Sequence, residues 1–159
     1  MREGSLRYVC TSTLLAEAFE GLFDLETRLM SCGPGDDPHD MEALLRSIGS
    51  PRPDSTRMAI MLGDDVIGKI DFAGTRGPPV IGFVVHRDHR GKGVLKRAWR
   101  DLAPGLGHRF RGYSWTHNAP AAAAMRSLGF VSTRAIQGHA HPILRWDYTS
   151  LDFRRLLER

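Results

Sequence analysis

The stretch that most constrains this chain is residues 80–95, where a nearly all-apolar run ends in a turn with two glycines. The run Val-Ile-Gly-Phe-Val-Val-His at residues 80–86 is typical of a strand in the middle of a sheet, with both faces covered. Arg-Gly-Lys-Gly follows at residues 90–93, and a helical pattern covers residues 93–103. The sequence therefore predicts a buried strand, a glycine turn and a helix in direct succession.

The predicted glycine turn is suited to holding an anion. Gly91 and Gly93 permit positive φ and the close approach of a ligand to the backbone. The first turn of the following helix presents unpaired N–H groups and a partial positive charge, which together can hold a pyrophosphate. The turn matches neither the P-loop GxxxxGK(S/T) nor the dinucleotide motif GxGxxG. By itself, an ordinary tight turn explains the two glycines equally well.

Charge is distributed unevenly along the chain. Residues 1–50 carry a net charge of −5 and residues 51–159 a net charge of +9. Much of the positive charge lies in residues 86–112. The two acidic residues of this stretch, Asp88 and Asp101, are outnumbered by its basic residues: Arg87, Arg90, Lys92, Lys96, Arg97, Arg100, Arg109 and Arg111. Such an excess favours an anionic partner, either nucleic acid or a phosphorylated cofactor, although a solvated helix face has the same composition.

Hydrophobic periodicity predicts a mixed central sheet of about seven strands, flanked by helices on both faces. Strand patterns cover residues 5–11, 57–62, 66–73, 80–86, 110–116, 130–136 and 143–149, and helical patterns cover residues 13–31, 39–48, 93–103 and 118–128. Ser150 is a candidate N-cap for a short C-terminal helix. This order indicates an α/β or α+β fold in a single domain spanning residues 1–159.

Several protein classes are disfavoured by composition. No apolar run approaches the roughly 20 residues of a membrane span, and the N-terminal segment lacks an apolar signal core, so we expect a cytoplasmic protein without a membrane partner. Cys10 and Cys32 have neither CxxC spacing nor a flanking histidine cluster, so no metal site is predicted. The pair His139 and His141 is better explained as a polar substrate wall or a plain loop than as metal ligands.

A second motif lies about 25 residues after the first. Asn118 opens a helical stretch of small residues that ends in Gly129-Phe130. Together the two motifs resemble the signature of the GCN5-related N-acetyltransferase (GNAT) family, (Q/R)xxGx(G/A) opening a helix and then NxxAxxxYxxxGF. The matching residues, in order and spacing, are Arg90, Gly93, Asn118, Ala121, Gly129 and Phe130. The resemblance covers roughly residues 57–135 and implies the fold of that family.

The resemblance also implies a site for acetyl-CoA. Strand 80–86 would separate from strand 110–116 and leave a V-shaped cleft, in which the backbone of Phe83, Val84 and Val85 pairs with the pantetheine amides. The Val85 N–H would polarise the thioester carbonyl. The implied contacts beyond the strand are the pyrophosphate ligands Arg90, Gly91, Lys92, Gly93, Val94 and Leu95, and Asn118 on the pantetheine arm. Asn118 is equally suited to capping its own helix.

The sequence departs from the family pattern where catalysis is concerned. Met125 stands where many members have a tyrosine that acts as a general acid, and methionine has no proton to give. Leu95 replaces a glycine or alanine and would narrow the space beside the pyrophosphate. Neither strand that often supplies a glutamate base carries a carboxylate, which leaves as candidates Tyr113, His86 and His117, with Asp71 as a further choice.

Three functions are compatible with these residues. The favoured one is an acetyl-CoA-dependent N-acetyltransferase that acts on a primary amine of a small molecule, peptide or protein by direct attack on the thioester. The alternatives are an acyl-CoA-dependent transferase that modifies nucleic acid, and a degenerate member that binds CoA or a partner without catalysis. The acidic segment of residues 13–48 is expected to form one wall of the acceptor site. The sequence is also compatible with a homodimer.

Overall fold

The computed structural model describes residues 5–31, 37–50, 53–74, 76–137 and 141–150. In these residues the regular elements are, in chain order, β1 (Leu6–Cys10), α1 (Leu25–Ser31), α2 (Met41–Gly49), β2 (Ser55–Leu62), β3 (Asp65–Ala73), β4 (Val80–Val85), α3 (Val94–Leu102), β5 (Arg109–Trp115), α4 (Ala119–Ser127), β6 (Val131–Ile136) and β7 (Ile143–Thr149). The strands form one sheet in the order β1-β2-β3-β4-β5-β7-β6. Only β4 and β5 are parallel neighbours within it. The predicted mixed sheet flanked by helices is confirmed.

The two faces of the sheet are covered to different extents. On the face that carries α3 and α4, the largest cluster of buried apolar side chains combines strand residues such as Ile70 and Trp146 with Trp99 of α3 and Met125 of α4. On the opposite face, a second cluster packs α2 and residues 16–23 against Ala59, Met61 and Val84. This second cluster ends at β4, so the same face of β5, β7 and β6 is only partly covered; we call it the open face.

The single helix predicted over residues 13–31 is wrong. A 3-10 stretch forms at Ala16–Leu22, and α1 begins only at Leu25. Phe19 and Leu22 are both buried, and their spacing of three residues matches the 3-10 period. Asp24 then opens α1 by accepting a hydrogen bond from the Thr27 N–H at 2.8 Å. Leu15 and Leu29, which belong to the apolar pattern that predicted this helix, are exposed by 79% and 52%.

The other predicted elements agree with the structure to within two residues at each end. Three predictions fall outside the described residues: the helix after Ser150, the role of His139 and the lack of a metal site at Cys32. Within the described ranges, no helix has the length and apolar character needed to cross a membrane. Those ranges also contain no group of three or more His, Cys, Asp or Glu placed to hold a metal ion.

Candidate active site

β4 and β5 separate towards their carboxyl ends. They pair only through Val80 with Arg111 and Ile81 with Gly112. Beyond Ile81, β4 is paired with β3 on one side, and no described strand pairs with its other side. A V-shaped gap therefore opens between the two strands, as the resemblance implied.

The backbone groups that line the gap follow from the pairing of β4 with β3. The His86 N–H donates to the Ile67 carbonyl at 2.9 Å, and successive residues of a strand direct these groups to opposite sides. Phe83 and Val85 therefore direct their N–H and C=O groups into the gap, whereas those of Val84 face β3. Of the three residues expected to pair with a cofactor here, Phe83 and Val85 present their backbone groups to the gap, and Val84 does not.

The turn after β4 is open on its outer side. Gly91 and Gly93 adopt φ of 70° and 73°, and no atom lies within 4 Å of the position of a Cβ on either residue. Gly93 is the N-cap of α3 and no side chain caps the helix, so N–H groups of the first turn lack intrahelical partners. Leu95 packs its side chain against the apolar cluster on the α3–α4 face, which leaves the space in front of the two glycines open.

Arg90 connects the turn to β4 and to α1. Its Nε donates to the Val85 carbonyl at 2.9 Å, and its Nη2 donates to Thr27 Oγ1 at 2.6 Å. Hydrogen bonds from Thr27 lower the pKa of Asp24, and the charges of Arg90 and Arg87 act in the same direction. Arg90 therefore holds the turn in place through protein contacts, and its direct contact with a cofactor stays a prediction.

Asn118 occupies the other side of the gap, where it caps α4. Its Oδ1 accepts a hydrogen bond from the Ala121 N–H at 3.0 Å, which confirms the predicted capping role. Its Nδ2 donates to the Met30 carbonyl of α1, also at 3.0 Å. Together with the Thr27–Arg90 contact, this bond joins α1 to both sides of the gap.

The two hydrogen bonds of Asn118 predict distinct losses of stability. We expect Asn118→Ala to lower the free energy of unfolding by about 1–2 kcal/mol, because both bonds are removed. Asn118→Asp keeps the acceptor for the Ala121 N–H and should lose about half as much. Urea unfolding followed by tryptophan fluorescence measures both values, and equal losses in the two variants would argue against capping.

A groove of about 730 Å³ follows the α3–α4 face from the glycine turn. Its lining includes the aromatic residues Trp99, Phe110 and Tyr148 and the basic residues Lys92, Lys96, Arg97 and Arg100. Lys92 and Gly93 of the glycine turn are among the lining residues, so the groove adjoins the turn. The basic side chains of this groove suit a ligand with several negative charges.

The three base candidates lie at separate places. Tyr113 lies on the open face of β5 and is 43% exposed. The His117 ring is 4.7 Å from that of His141, and both lie against Trp115. His86 Nδ1 accepts a hydrogen bond from the Asp88 N–H at 3.2 Å. Among the described residues no hydrogen bond or ring contact joins the three candidates to one another, so their catalytic roles stay predictions.

Met125 is part of the apolar core on the α3–α4 face. It is 1% exposed, and its Cε occupies the space where a Cβ on Gly112 would stand. The position at which the resembled motif has a tyrosine is therefore occupied by a buried apolar side chain in this protein. No proton donor for a leaving group is present at this position.

A charged cluster lies on the open face and could not be recognised from the sequence. Asp147 of β7 accepts hydrogen bonds from Arg145 Nη2 at 3.0 Å and from Thr133 Oγ1 at 2.5 Å. Arg111 Nε of β5 lies 3.7 Å from the same carboxylate. Burial alone would raise the pKa of Asp147, but the hydrogen bonds from Arg145 and Thr133 and the charges of both arginines outweigh it and lower the pKa. The alternation of β5 and β7 was visible in the sequence, but their register was not.

The lowered pKa of Asp147 predicts a contribution to acid sensitivity. Because the folded-state pKa lies below the unfolded value of about 4, the carboxylate stabilises the fold above that value and loses its effect as the pH falls through the folded pKa. We expect Asp147→Asn to lose stability less steeply than the wild type between about pH 5 and pH 3. Urea midpoints at several pH values measure this slope, with Asp64→Asn as an exposed control.

A mixed sheet with one parallel pair that separates beside a glycine-lined helix N-terminus is the fold of the GNAT acetyltransferases. No family model matches the sequence, and no curated protein matches it. Solved structures with this fold do match, at a level of identity that establishes the fold alone.

Three of these structures illustrate the similarity. An acetyltransferase from Salmonella typhimurium that modifies the N-terminal serine of a 50S ribosomal subunit protein is 14% identical, with 91% of this chain and 95% of that chain covered and a TM-score of 0.74. AAC(6′)-Ib in complex with ribostamycin and coenzyme A is 17% identical, with 95% and 97% covered and a TM-score of 0.72. The GNAT domain of S. lividans PAT is 15% identical, with 91% and 89% covered and a TM-score of 0.72.

Proposed function

We propose that this protein transfers the acetyl group of acetyl-CoA to a primary amine by direct attack on the thioester. The observation that carries the proposal is that three features adjoin one another. Backbone groups of β4 point into the gap, β4 leads into the open glycine turn, and the basic groove lies beside that turn. Two solved structures with the same fold contain coenzyme A, which supports this assignment.

Each part of acetyl-CoA has a corresponding part of the site. The Phe83 and Val85 backbone groups would pair with the pantetheine amides as an added strand pairs with a sheet edge. The N–H groups after Gly91 and Gly93 would bind the pyrophosphate. The groove with Lys92, Lys96, Arg97 and Arg100 would take the phosphorylated adenosine. Because CoA accounts for these positive charges, the nucleic-acid alternative is less favoured.

The same geometry supports the chemistry of transfer. The Val85 N–H points into the gap and would stabilise the negative charge that develops on the thioester oxygen during attack, an effect of about 3–4 kcal/mol for one such donor. A thiol with a pKa of about 8.5 leaves readily as the thiolate. The absence of a proton donor at Met125 is therefore compatible with turnover.

Two measurements test the function. Calorimetric titration with CoA and with acetyl-CoA should show micromolar binding, and thiol release from acetyl-CoA should depend on an added primary amine. Mass spectrometry of the amine should show a single added acetyl group. Binding without acetylation of any amine would favour the degenerate alternative, and no binding of CoA would refute the proposal.

A further inference from the structure

Two buried charged atoms without a hydrogen-bond partner lie on the same sheet face, on either side of β4. They are Oδ1 of Asp71 and Nε of Arg111. Asp71 pairs with Gly82, and Arg111 pairs with Val80. Because residues two apart on a strand share a face, both side chains lie on the face of Gly82. The spacing of strands and residues puts their Cα atoms roughly 10–12 Å apart.

The Asp71 carboxylate is only half paired within the protein. Its Oδ2 is paired with Lys69 Nζ, whereas Oδ1 has no donor. An unpartnered buried acceptor is unfavourable, so a ligand N–H that reaches Oδ1 would be favoured. Gly82 has no side chain in the space beside this carboxylate, where a Cβ would stand 3.8 Å from Asp71 Oδ2.

Arg111 lacks a carboxylate of its own. Its neighbour Asp147 already accepts two hydrogen bonds from Arg145 and one from Thr133. Arg111 Nε stays at 3.7 Å from it, beyond hydrogen-bond distance. One carboxylate between two guanidinium groups leaves an excess of one positive charge, and a guanidinium binds a carboxylate through paired hydrogen bonds.

We propose that the acceptor is a small zwitterionic amine, whose carboxylate binds Arg111 and whose amine donates a hydrogen bond to Asp71 Oδ1. This inference rests on the proposed acetyl transfer and names its substrate class. Amines with several positive charges are disfavoured, because Lys69, Arg111 and Arg145 all lie on this face.

The transfer step balances with these groups. The acceptor ammonium loses one proton to solvent, and its nitrogen attacks the thioester carbon. The C–N bond forms and the C–S bond breaks, with the electron pair leaving on sulfur. The second proton of the nitrogen passes to the thiolate, so the products are an N-acetylated acid and CoA. Asp71 holds the attacking nitrogen through a hydrogen bond, and Arg111 fixes the other end of the acceptor.

The test compares each standard amino acid with its own amide, which keeps the amine and removes the negative charge. Acetylation is followed by thiol release from acetyl-CoA, with spermidine as a polycationic probe. For the wild type we expect kcat/KM to be at least tenfold higher for the acid than for the amide. In Arg111→Gln this ratio should fall towards one, whereas in Arg111→Lys it should fall less. Arg109→Gln removes an exposed arginine of the same strand and should leave the ratio unchanged.

Variants on the other side of the gap test the amine contact. Asp71→Asn should lower kcat/KM at least tenfold for acids and amides alike, leaving their ratio unchanged. Gly82→Val should do the same, because its side chain would fill the space beside Asp71. Circular dichroism and CoA titration of every variant separate these effects from misfolding and from loss of the cofactor.

The outcomes separate this inference from the proposed function. CoA binding with equal acetylation of acids, amides and spermidine would overturn the zwitterionic acceptor and leave the transferase standing. If no free amine is acetylated, the same acid–amide pairs are titrated into the CoA-loaded protein, and equal binding or no binding of both forms overturns the inference. Failure of CoA itself to bind refutes the proposed function instead.

Discussion

Replacement of Gly93 by leucine is expected to lower the affinity for CoA by about 100-fold or more, because the new side chain fills the open side of the turn. The lost contacts would be at least two hydrogen bonds to charged phosphate oxygens, each worth about 1.5–3 kcal/mol. Calorimetric titration of the variant and the wild type with CoA measures the change.

A matched control separates this loss from backbone strain. Gly63 in the β2–β3 turn has a φ of 63°, and Gly93 has a φ of 73°; neither has an atom within 4 Å of a Cβ position. Leucine at either position should therefore cost about 1–2 kcal/mol of stability. Only Gly93→Leu should lose CoA affinity. A similar loss in Gly63→Leu would assign the effect to destabilisation and remove the glycine turn from the site.

Gly112 and Met125 are expected to be strongly coupled, because the Met125 Cε occupies the space that a Cβ on Gly112 would need. Gly112→Ala alone should lower the free energy of unfolding by about 1–3 kcal/mol through overpacking. Met125→Ala alone should lower it by about 2–5 kcal/mol, because it leaves a cavity in the apolar core.

The double variant tests the shared space directly. Since the alanine at position 112 partly fills the cavity left at position 125, the combined loss should be smaller than the sum of the single losses by about 1–2 kcal/mol. Urea unfolding of the four proteins gives the coupling energy. Additive losses would contradict the packing of Met125 against Gly112.

Much of the candidate cofactor site could be predicted because its signals are local. The apolar run of β4, the glycines of the turn and the N-cap at Asn118 act within a few residues of chain, so residue types alone specify their conformation. The helix predicted for residues 13–31 was wrong because a local pattern was overridden by tertiary packing. Its 3.6-residue pattern was weaker than the tertiary burial of Phe19 and Leu22 at a spacing of three.

The sequence by itself determined the order of elements and the position of the glycine turn, because periodicity and backbone preferences are encoded in neighbouring residues. Only the tertiary structure decided that Val85 rather than Val84 faces the gap, since N–H direction depends on the register with β3. The same holds for Asp71 and Arg111, which stand 40 positions apart in the sequence. Their shared face on either side of β4 exists only because two different strands pair with it.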